Sequence, residues 1–224
     1  MRVLVACEFS GIVRDAFRAL GHDAWSCDLL PTERPGQHIV DDVRNVIYPG
    51  RHGSLHRQFD LMIAHIPCTY LANSGVRWLV DELRTGVIGP RVLALQESID
   101  FFNQVALAPI SMIAMENPIP HKYAKRGIGY AGKGIGMYTQ KIRGDMFGEE
   151  DSRTTCLWLK RLPLLVPTNQ LPTVAYGSVE WKARNRVHRA SPGPNRWKER
   201  SRTLPGIATA MADQWGSISV ERAA

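Results

Sequence analysis

The stretch RVLVACEFSG, Arg2 to Gly11, decides the fold. Its first part, Arg2 to Cys7, is a short β-branched run that predicts a buried strand. The turn Phe9-Ser10-Gly11 follows, and the pattern from Ile12 to Leu20 predicts a helix that stops at Gly21. This unit of strand, glycine turn and helix is typical of the start of a parallel α/β sheet.

Strands and helices continue to alternate along the chain. Buried strands are predicted at Ala24 to Leu29, Asp60 to Ile66 and Ser111 to Met115. The clearest helix covers residues 91–107, where apolar side chains recur every three or four positions. Thr155 to Leu159 is predicted to return to the sheet. We therefore expect an α/β protein with a Rossmann-like, mostly parallel central sheet.

Two stretches show no clear period. Residues 31–58 and 120–155 are rich in Gly and in Pro or basic side chains, and both are predicted to be irregular, the second as a long functional loop. Ile207 to Trp215 predicts a short amphipathic helix. The expected organisation is a catalytic and cofactor-binding core at 1–163, a small basic recognition segment at 164–203, and a C-terminal helix at 204–216 that returns to the core.

Composition favours a polyanionic partner. The chain has 224 residues and a formal net charge of +7, which suits one basic domain and nucleic acid first among partners, although a merely basic enzyme stays open. Trp181 and Trp197 stand among a run of cations, as nucleic-acid binding requires: Lys182, Arg184, Arg186, Arg189, Arg196, Lys198, Arg200 and Arg202.

Targeting and metal signals are lacking in the sequence. No apolar stretch approaches the roughly 20 residues that span a bilayer, and no N-terminal signal is evident, so we expect a cytoplasmic protein without a membrane partner. The four cysteines form no Cys-x-x-Cys pair, which predicts no metal site and free thiols in a reducing compartment. A monomer is favoured, with the oligomeric state left open.

Two short motifs carry candidate chemistry. Pro67-Cys68 and Glu116-Asn117 each follow a buried strand directly, so a thiol and a carboxylate are expected at one sheet edge, as nucleophile and acid/base partner. A structural cysteine and a turn role for Glu-Asn-Pro are the plain alternatives. Likewise, Phe9-Ser10-Gly11 with Asp28 suits an adenosine cofactor, since Asp28 could accept bonds from ribose hydroxyls, although a simple strand-to-helix turn would look similar.

In this order, the glycine turn, Asp28, Pro67-Cys68 and Glu116-Asn117 resemble the DNA cytosine 5-methyltransferase family. The segments TTCLWLKRLP, from Thr154, and RWKERSRTLPGIATAMADQWG, from Arg196, resemble small bacteriophage-encoded members of that family. The resemblance therefore touches most of the chain.

The resemblance implies S-adenosylmethionine as cofactor and double-stranded DNA as partner, in a phage-infected bacterial host cell. Cys68 would add to carbon 6 of cytosine, Glu116 would hydrogen-bond the ring, and Asn117 would hold the loop of Pro67 and Cys68. The implied cofactor-binding residues are Glu8, Phe9, Ser10, Gly11, Asp28, Leu29, Asp42, Val43 and Ile207. The implied DNA-binding residues are Gln140, Arg143, Arg196, Trp197, Arg200 and Arg202.

The chain departs from the family at several positions. Val13 stands where the first motif usually has a second glycine, Thr69 replaces the glutamine after the cysteine, and Gln140 with Arg143 is an incomplete Gln-x-Arg-x-Arg. The stretch at 164–195 could form only a small recognition unit, so a short sequence context of about two or three bases is expected.

Three other functions stay open from the sequence. The substrate could be RNA or a free cytidine nucleotide, although the basic segment argues against a mononucleotide. A catalytically silent DNA-binding protein could keep the fold, although Cys68 and Glu116 would then have no reason to be present. An amino-directed methyltransferase needs a polar-Pro-Pro-aromatic loop, which Ile66 to Tyr70 does not match.

Overall fold

The computed structural model describes residues 1–48, 59–86, 88–128, 133–185, 193 and 196–218. In this part of the chain, seven strands form one sheet in the order β3-β2-β1-β4-β5-β7-β6. The strands are β1 (Arg2–Ala6), β2 (Asp23–Asp28), β3 (His38–Val40), β4 (Leu61–His65), β5 (Met112–Pro118), β6 (Gln140–Arg143) and β7 (Thr154–Lys160).

The sheet is parallel except at β7. Strands β1, β2, β3, β4 and β5 run parallel to their neighbours, whereas β7 pairs antiparallel with both β5 and β6. The central strands are nearly continuous apolar runs because both faces of the sheet are covered. The expected Rossmann-like α/β fold with a mostly parallel sheet is confirmed.

Helices cover both faces of this sheet. They are α1 (Ile12–Ala19), α2 (Val43–Ile47), α3 (Val76–Thr85), α4 (Pro90–Ala106), α5 (Lys122–Arg126), α6 (Val179–Arg184), α7 (Arg196–Ser201) and α8 (Pro205–Gly216). One core joins α2 and α4 to the sheet, and the other joins α1 and α8 to the opposite face. None of the helices in the described ranges is long and apolar enough to cross a membrane.

The two stretches predicted to be irregular are partly ordered. Residues 31–58 contain β3 and α2, and residues 120–155 contain α5, β6 and a 3-10 turn at Gly144–Met146, so the prediction was wrong for these elements. Each has only three to five residues, which is too short for a hydrophobic period to appear. Residues 49–58 and 129–132 lie outside the described ranges.

The C-terminal helix lies where the sequence expected it. Helix α8 packs against α1, and Met211 and Trp215 are fully buried between it and the sheet. The indole N–H of Trp215 donates to the carbonyl of Pro163 at 3.1 Å. Through this bond, α8 also fixes the chain that leaves β7.

Candidate active site

Polar side chains gather at the carboxyl ends of the parallel strands. Glu8 follows β1, Asp28 ends β2, His65 ends β4, and Glu116 lies near the end of β5. Strand pairing aligns these positions, with Ala6 opposite both Cys27 and Ala64, and His65 opposite Glu116. In open parallel sheets this edge is where ligands bind.

The loop that carries Pro67 and Cys68 leaves β4 at this edge. The amide of Asn117, which is buried, donates from Nδ2 to the carbonyl of Ile66 at 3.2 Å. The Cys68 carbonyl accepts from the backbone N–H groups of Leu71 and Ala72, so the loop turns sharply after the cysteine. The thiol is thereby held beside the end of β5.

The segment after β5 clamps the far side of the same loop. Asn73 donates its backbone N–H to Ile119, and the backbone N–H of His121 donates to Leu71. The buried ring of His121 lies 2.8 Å from the Tyr70 carbonyl through Nε2, and its Nδ1 accepts from the N–H of Ala124 at 3.0 Å. His121 therefore ties the Cys68 loop to the start of α5.

Burial and the neighbouring charges have opposing effects on the pKa of the Cys68 thiol. Burial raises the pKa of the thiol above its ordinary value, the Arg200 guanidinium works in the other direction, and the Glu116 carboxylate adds to the rise. Arg200 is consequently the cation that favours the thiolate, which is the nucleophilic form of cysteine.

Glu116 is paired with a residue that the sequence did not single out. Nδ1 of His65 contacts Oε2 of Glu116, and the two side chains are only 11% and 15% exposed. Burial alone would raise the pKa of Glu116, but His65, Arg153 and a hydrogen bond from Thr155 bring it below its ordinary value. The neighbours of Glu116 thus favour its ionised form, although the side chain is largely buried.

At the turn after β1, Glu8 caps α1. Its carboxylate accepts from the N–H of Val13 at 2.7 Å and of Arg14 at 3.2 Å, and Ser10 donates its hydroxyl to the same group at 3.3 Å. The free N–H groups of a helix start usually attract an anion, and here the protein supplies its own. A ligand phosphate would therefore compete with Glu8 for this position.

Gly11 is required by the protein itself. Its φ is +72°, and a Cβ there would lie 2.5 Å from Nη2 of Arg14. Arg14 is fully buried and donates to Ser26, Thr32 and the carbonyls of Arg34 and Pro35. The glycine thus makes room for a buried guanidinium.

The other predicted cofactor residues are spread along the same edge. Asp28 accepts from the N–H of Leu30 at 2.9 Å, and burial raises its pKa. Leu29 is 72% exposed. Asp42 caps α2 by accepting from the N–H of Arg44 and forms an ion pair with that side chain, while Val43 is buried in the core beside it. Ile207 is buried between α8 and α1.

Gln140 and Arg143 are engaged within the protein. Both lie on β6, the strand at the end of the sheet beyond β7. The Gln140 amide exchanges two hydrogen bonds with the backbone of Leu165, at 2.7 and 2.8 Å. Arg143 donates twice to the carboxylate of Asp145, at 3.0 and 2.9 Å. Neither side chain has a hydrogen bond to the Cys68 loop in the described part of the chain, although register aligns Gln140 with Glu116 across β7.

Helix α7 crosses the strand-end edge. The Trp197 ring lies 5.8 Å from that of Phe9, which is buried after β1. The guanidinium of Arg202 donates three hydrogen bonds of 2.8 to 3.1 Å to the Glu33 carboxylate and also forms an ion pair with Glu199. Arg196 begins the helix, and the predicted basic residues Arg186 and Arg189 lie outside the described ranges.

Arg153 anchors this helix to the sheet. Its Nη1 donates to the carbonyls of Arg200 and Arg202 at 3.2 Å, and its Nε is 2.9 Å from the carboxylate of Asp151. Arg153, His65 and His121 were not predicted from the sequence. The one available signal was for His65, a polar residue that ends an otherwise apolar strand two positions before Pro67.

A cleft of about 660 Å³ opens beside the clamped loop. Its walls come from α3 and the start of α5, and they include Asn73, His121 and the cations Arg84 and Lys122. None of the predicted site residues lines it. The cleft is a neighbour of the strand-end edge and does not enclose the thiol.

Comparisons with known proteins add little to this picture. No protein-family model matches the chain. No curated protein matches it significantly. Among solved structures, the chain is similar to a prophage-encoded protein of E. coli that carries the assignment DNA modification methyltransferase, at 16% identity and a TM-score of 0.47. The alignment covers 77% of this chain and 52% of that one, so the chain spans about half the length of that protein.

Proposed function

We propose that the protein is an S-adenosylmethionine-dependent methyltransferase that modifies carbon 5 of cytosine in DNA. The observation that carries this proposal is the clamped Cys68 loop beside Glu116. A nucleophile and a carboxyl group that can exchange a proton with the base, both at the ligand-binding edge of a parallel sheet, are the two groups that activation of cytosine needs.

The residues at the ends of β1 and β2 fit this cofactor. Glu8 occupies the start of α1, so a nucleotide phosphate finds its usual helix position filled. S-adenosylmethionine has no phosphate and carries positive sulfonium and ammonium groups, which suit an edge lined by Glu8, Asp28 and Glu116. Phe9 and Asp28 would hold its adenosine, and Glu8 would face its charged end.

The positions of Cys68 and Glu116 suit the reaction steps on the cytosine ring. The Cys68 thiolate adds to carbon 6 of cytosine, and Glu116 stabilises the ring through N3 and the exocyclic amine as that bond forms. Bound S-adenosylmethionine supplies an electrophilic methyl group. Carbon 5 becomes nucleophilic only while the Cys68 adduct exists, and loss of its proton then releases the thiolate.

Asn117 and His121 position the nucleophile. Asn117 bonds the carbonyl immediately before Pro67, and His121 bonds the carbonyl of Tyr70 on the other side of Cys68. Because proline removes a backbone donor and restricts φ, the loop has few other conformations near Cys68. The thiol can therefore be held ready without being part of a regular element.

The DNA assignment is supported by charge. The chain has a net charge of +7 even though acidic residues gather at the strand-end edge, and α7 carries the cations Lys198 and Arg200, the second of which acts on Cys68. We propose that these cations neutralise phosphates around the target base, which must rotate out of a duplex to reach Cys68. Arg202, Gln140 and Arg143 have intramolecular partners, so we assign them to holding the scaffold.

Nucleoside mass spectrometry of DNA incubated with the protein and S-adenosylmethionine tests this function. We expect 5-methylcytosine with the wild type and none with Cys68→Ala. RNA and free cytidine nucleotides should be run in parallel, because product on either one alone would replace DNA as the substrate. Absence of product on every substrate would contradict the proposal.

A further inference from the structure

Two neighbouring strands place a histidine and a carboxylate against each other at the proposed catalytic edge. His65 is the last residue of β4 and is the register partner of Glu116 on β5. Nδ1 of His65 contacts Oε2 of Glu116, and both side chains are largely buried. The pairing follows from strand register, so the contact does not depend on a flexible loop.

Several other groups face this pair. The carboxylates of Glu8 and Asp28 act on His65 from the ends of β1 and β2, and the Thr203 hydroxyl lies 3.4 Å from its Nδ1. Arg153 and Thr155 act on Glu116 from the start of β7, and Cys68 lies within electrostatic reach of the same carboxylate. No base other than His65 contacts Glu116 closely among the described residues.

Nε2 of His65 is buried and has no hydrogen-bond partner in the described part of the chain. A buried nitrogen without a hydrogen-bond partner destabilises the folded state. Such a group in a native structure calls for an explanation, and a role in catalysis is one. The ring is therefore held through Nδ1, by the Glu116 carboxylate that the proposed reaction uses and by the Thr203 hydroxyl.

We propose that His65 is a positioning residue that stores the proton which Glu116 delivers to N3 of cytosine. This inference rests on the proposed function. At rest His65 is an imidazolium, with one proton on Nε2 and the transferable proton on Nδ1 against the Glu116 carboxylate. In this role His65 never touches the base and acts only through Glu116.

The proton is conserved through the reaction. As the bond between Cys68 Sγ and carbon 6 forms, the electron pair of the ring moves toward N3. The Nδ1 proton of His65 then passes through the Glu116 carboxylate to N3, which leaves a neutral imidazole beside an ionised carboxylate. After carbon 5 has gained the methyl group, its own proton leaves to solvent. Expulsion of the thiolate then returns the N3 proton to Glu116 and His65, so the pair ends as it began.

The direction of the pKa shifts agrees with a stored proton. Burial alone would lower the pKa of His65, but the charge and hydrogen bond of Glu116, together with Glu8 and Asp28, bring it above its ordinary value. The pair consequently keeps its proton at higher pH than a free imidazole does.

The storage of the proton can be tested without catalysis. Imidazole nitrogen shifts of His65 in the isolated protein, followed against pH by NMR, should show titration above the ordinary histidine range. In Glu116→Gln the titration of His65 should move to lower pH, because burial then acts without the carboxylate. An unchanged titration in that variant would overturn the proposal whether or not the protein is a methyltransferase.

The role in the reaction needs a variant that keeps the hydrogen bond. His65→Asn places an amide donor near Nδ1 but cannot carry an additional proton. We expect its methylation rate to fall by about tenfold or more at about pH 8.5 and by much less at about pH 6, because a lone carboxyl loses its proton at lower pH. His22→Asn, at the opposite edge of the sheet, should leave the pH profile unchanged.

The outcomes separate this inference from the function on which it rests. If the wild type makes no 5-methylcytosine, the proposed function fails. If the wild type is active and His65→Asn has the same pH profile, or loses activity equally at all pH values while melting at the wild-type temperature, the proton-storage role fails.

Discussion

At the scale of single residues, Arg14 connects the parts of the cofactor edge. This fully buried guanidinium joins α1 to Ser26 on β2 and to the loop at residues 32–35. Its ion pair with Asp15 supplies an opposite charge. The cation is therefore compensated on all sides, and its removal leaves the buried hydroxyl of Ser26 and several partly buried acceptors without this donor.

We expect Arg14→Met to lower the free energy of unfolding by about 2–4 kcal/mol, measured by urea denaturation, because those acceptors become unsatisfied. Arg18→Met on the exposed face of the same helix is the matched control and should cost less than about 0.5 kcal/mol. Equal losses in the two variants would show that the buried network contributes nothing.

Replacing Gly11 and Gly21 distinguishes two effects on stability, which are backbone strain and steric overlap with a neighbouring side chain. Both have positive φ, but a Cβ at Gly11 meets Arg14 whereas one at Gly21 meets nothing within 4 Å. Gly21→Ala should cost about 1–2 kcal/mol from backbone strain alone. Gly11→Ala should cost about 1 kcal/mol or more beyond that, in thermal or urea unfolding. The account would be contradicted by Gly21→Ala as the more damaging change.

The reactivity of Cys68 should depend on Arg200. Burial raises the pKa of the thiol and Arg200 opposes the rise, so Arg200→Ala should shift the pH dependence of iodoacetamide alkylation upward and slow alkylation near pH 8. Lys198→Ala, on the same helix, should leave the profile in place. Alkylation that is faster in Arg200→Ala at every pH would mean that Arg200 acts mainly by shielding the thiol.

At the scale of elements, the loop between β4 and α3 takes its shape from the segment after β5. His121 lies at the centre of this contact, with both ring nitrogens engaged. We expect His121→Ala to loosen the loop and raise the alkylation rate of Cys68 several-fold, as measured by mass spectrometry of the intact protein. His22→Ala, at the opposite edge, is the control. A rate unchanged by His121→Ala would show that other bonds suffice to hold the loop.

The sequence predicted the elements with long apolar runs and missed the short ones. It also missed α3, a helix of ten residues in which only Leu79 is buried. β1, β4 and α4 stand out because each is largely buried and repeats its apolar positions. β6 has only Ile142 buried among polar neighbours, and β3 has three residues, so neither has a pattern to detect. Short elements such as these are recognised only through their partners in the sheet.

The candidate site shows the same limit. Cys68 and Glu116 could be placed at one edge because each ends a predicted strand, but their partners come from register and packing. His65 meets Glu116 only because β4 and β5 align in that register, and Arg153 meets α7 across about 50 residues of chain. Sequence spacing alone does not specify either contact.

At the scale of the whole molecule, the charge distribution suits both the cationic cofactor and the anionic DNA of the proposed function. Acidic side chains line the strand ends, where a cationic cofactor would sit, while α7 carries arginine and lysine across the same edge. Arg202 fastens this helix to Glu33, so the basic element has a fixed place relative to Cys68.

DNA binding should therefore depend steeply on salt. If three or four phosphates are neutralised, affinity should fall by about 40- to 150-fold between about 50 and 200 mM salt. Lys198→Ala should reduce the slope of log K against log salt by about 0.9, as measured by fluorescence anisotropy, and Lys160→Ala, whose ammonium is bonded to the carbonyls of Ala108 and Ile110, should not. A slope near zero would contradict phosphate contacts.

Covalent trapping tests the central claim most directly. A duplex that carries 5-fluorocytosine should react with Cys68 in the presence of S-adenosylmethionine, and the adduct should persist because fluorine, unlike hydrogen, cannot leave carbon 5 as a cation. The account predicts a denaturation-resistant protein–DNA complex with the wild type and none with Cys68→Ser. A stable complex with Cys68→Ser, or no complex from a wild-type protein that methylates ordinary DNA, would contradict Cys68 as the nucleophile.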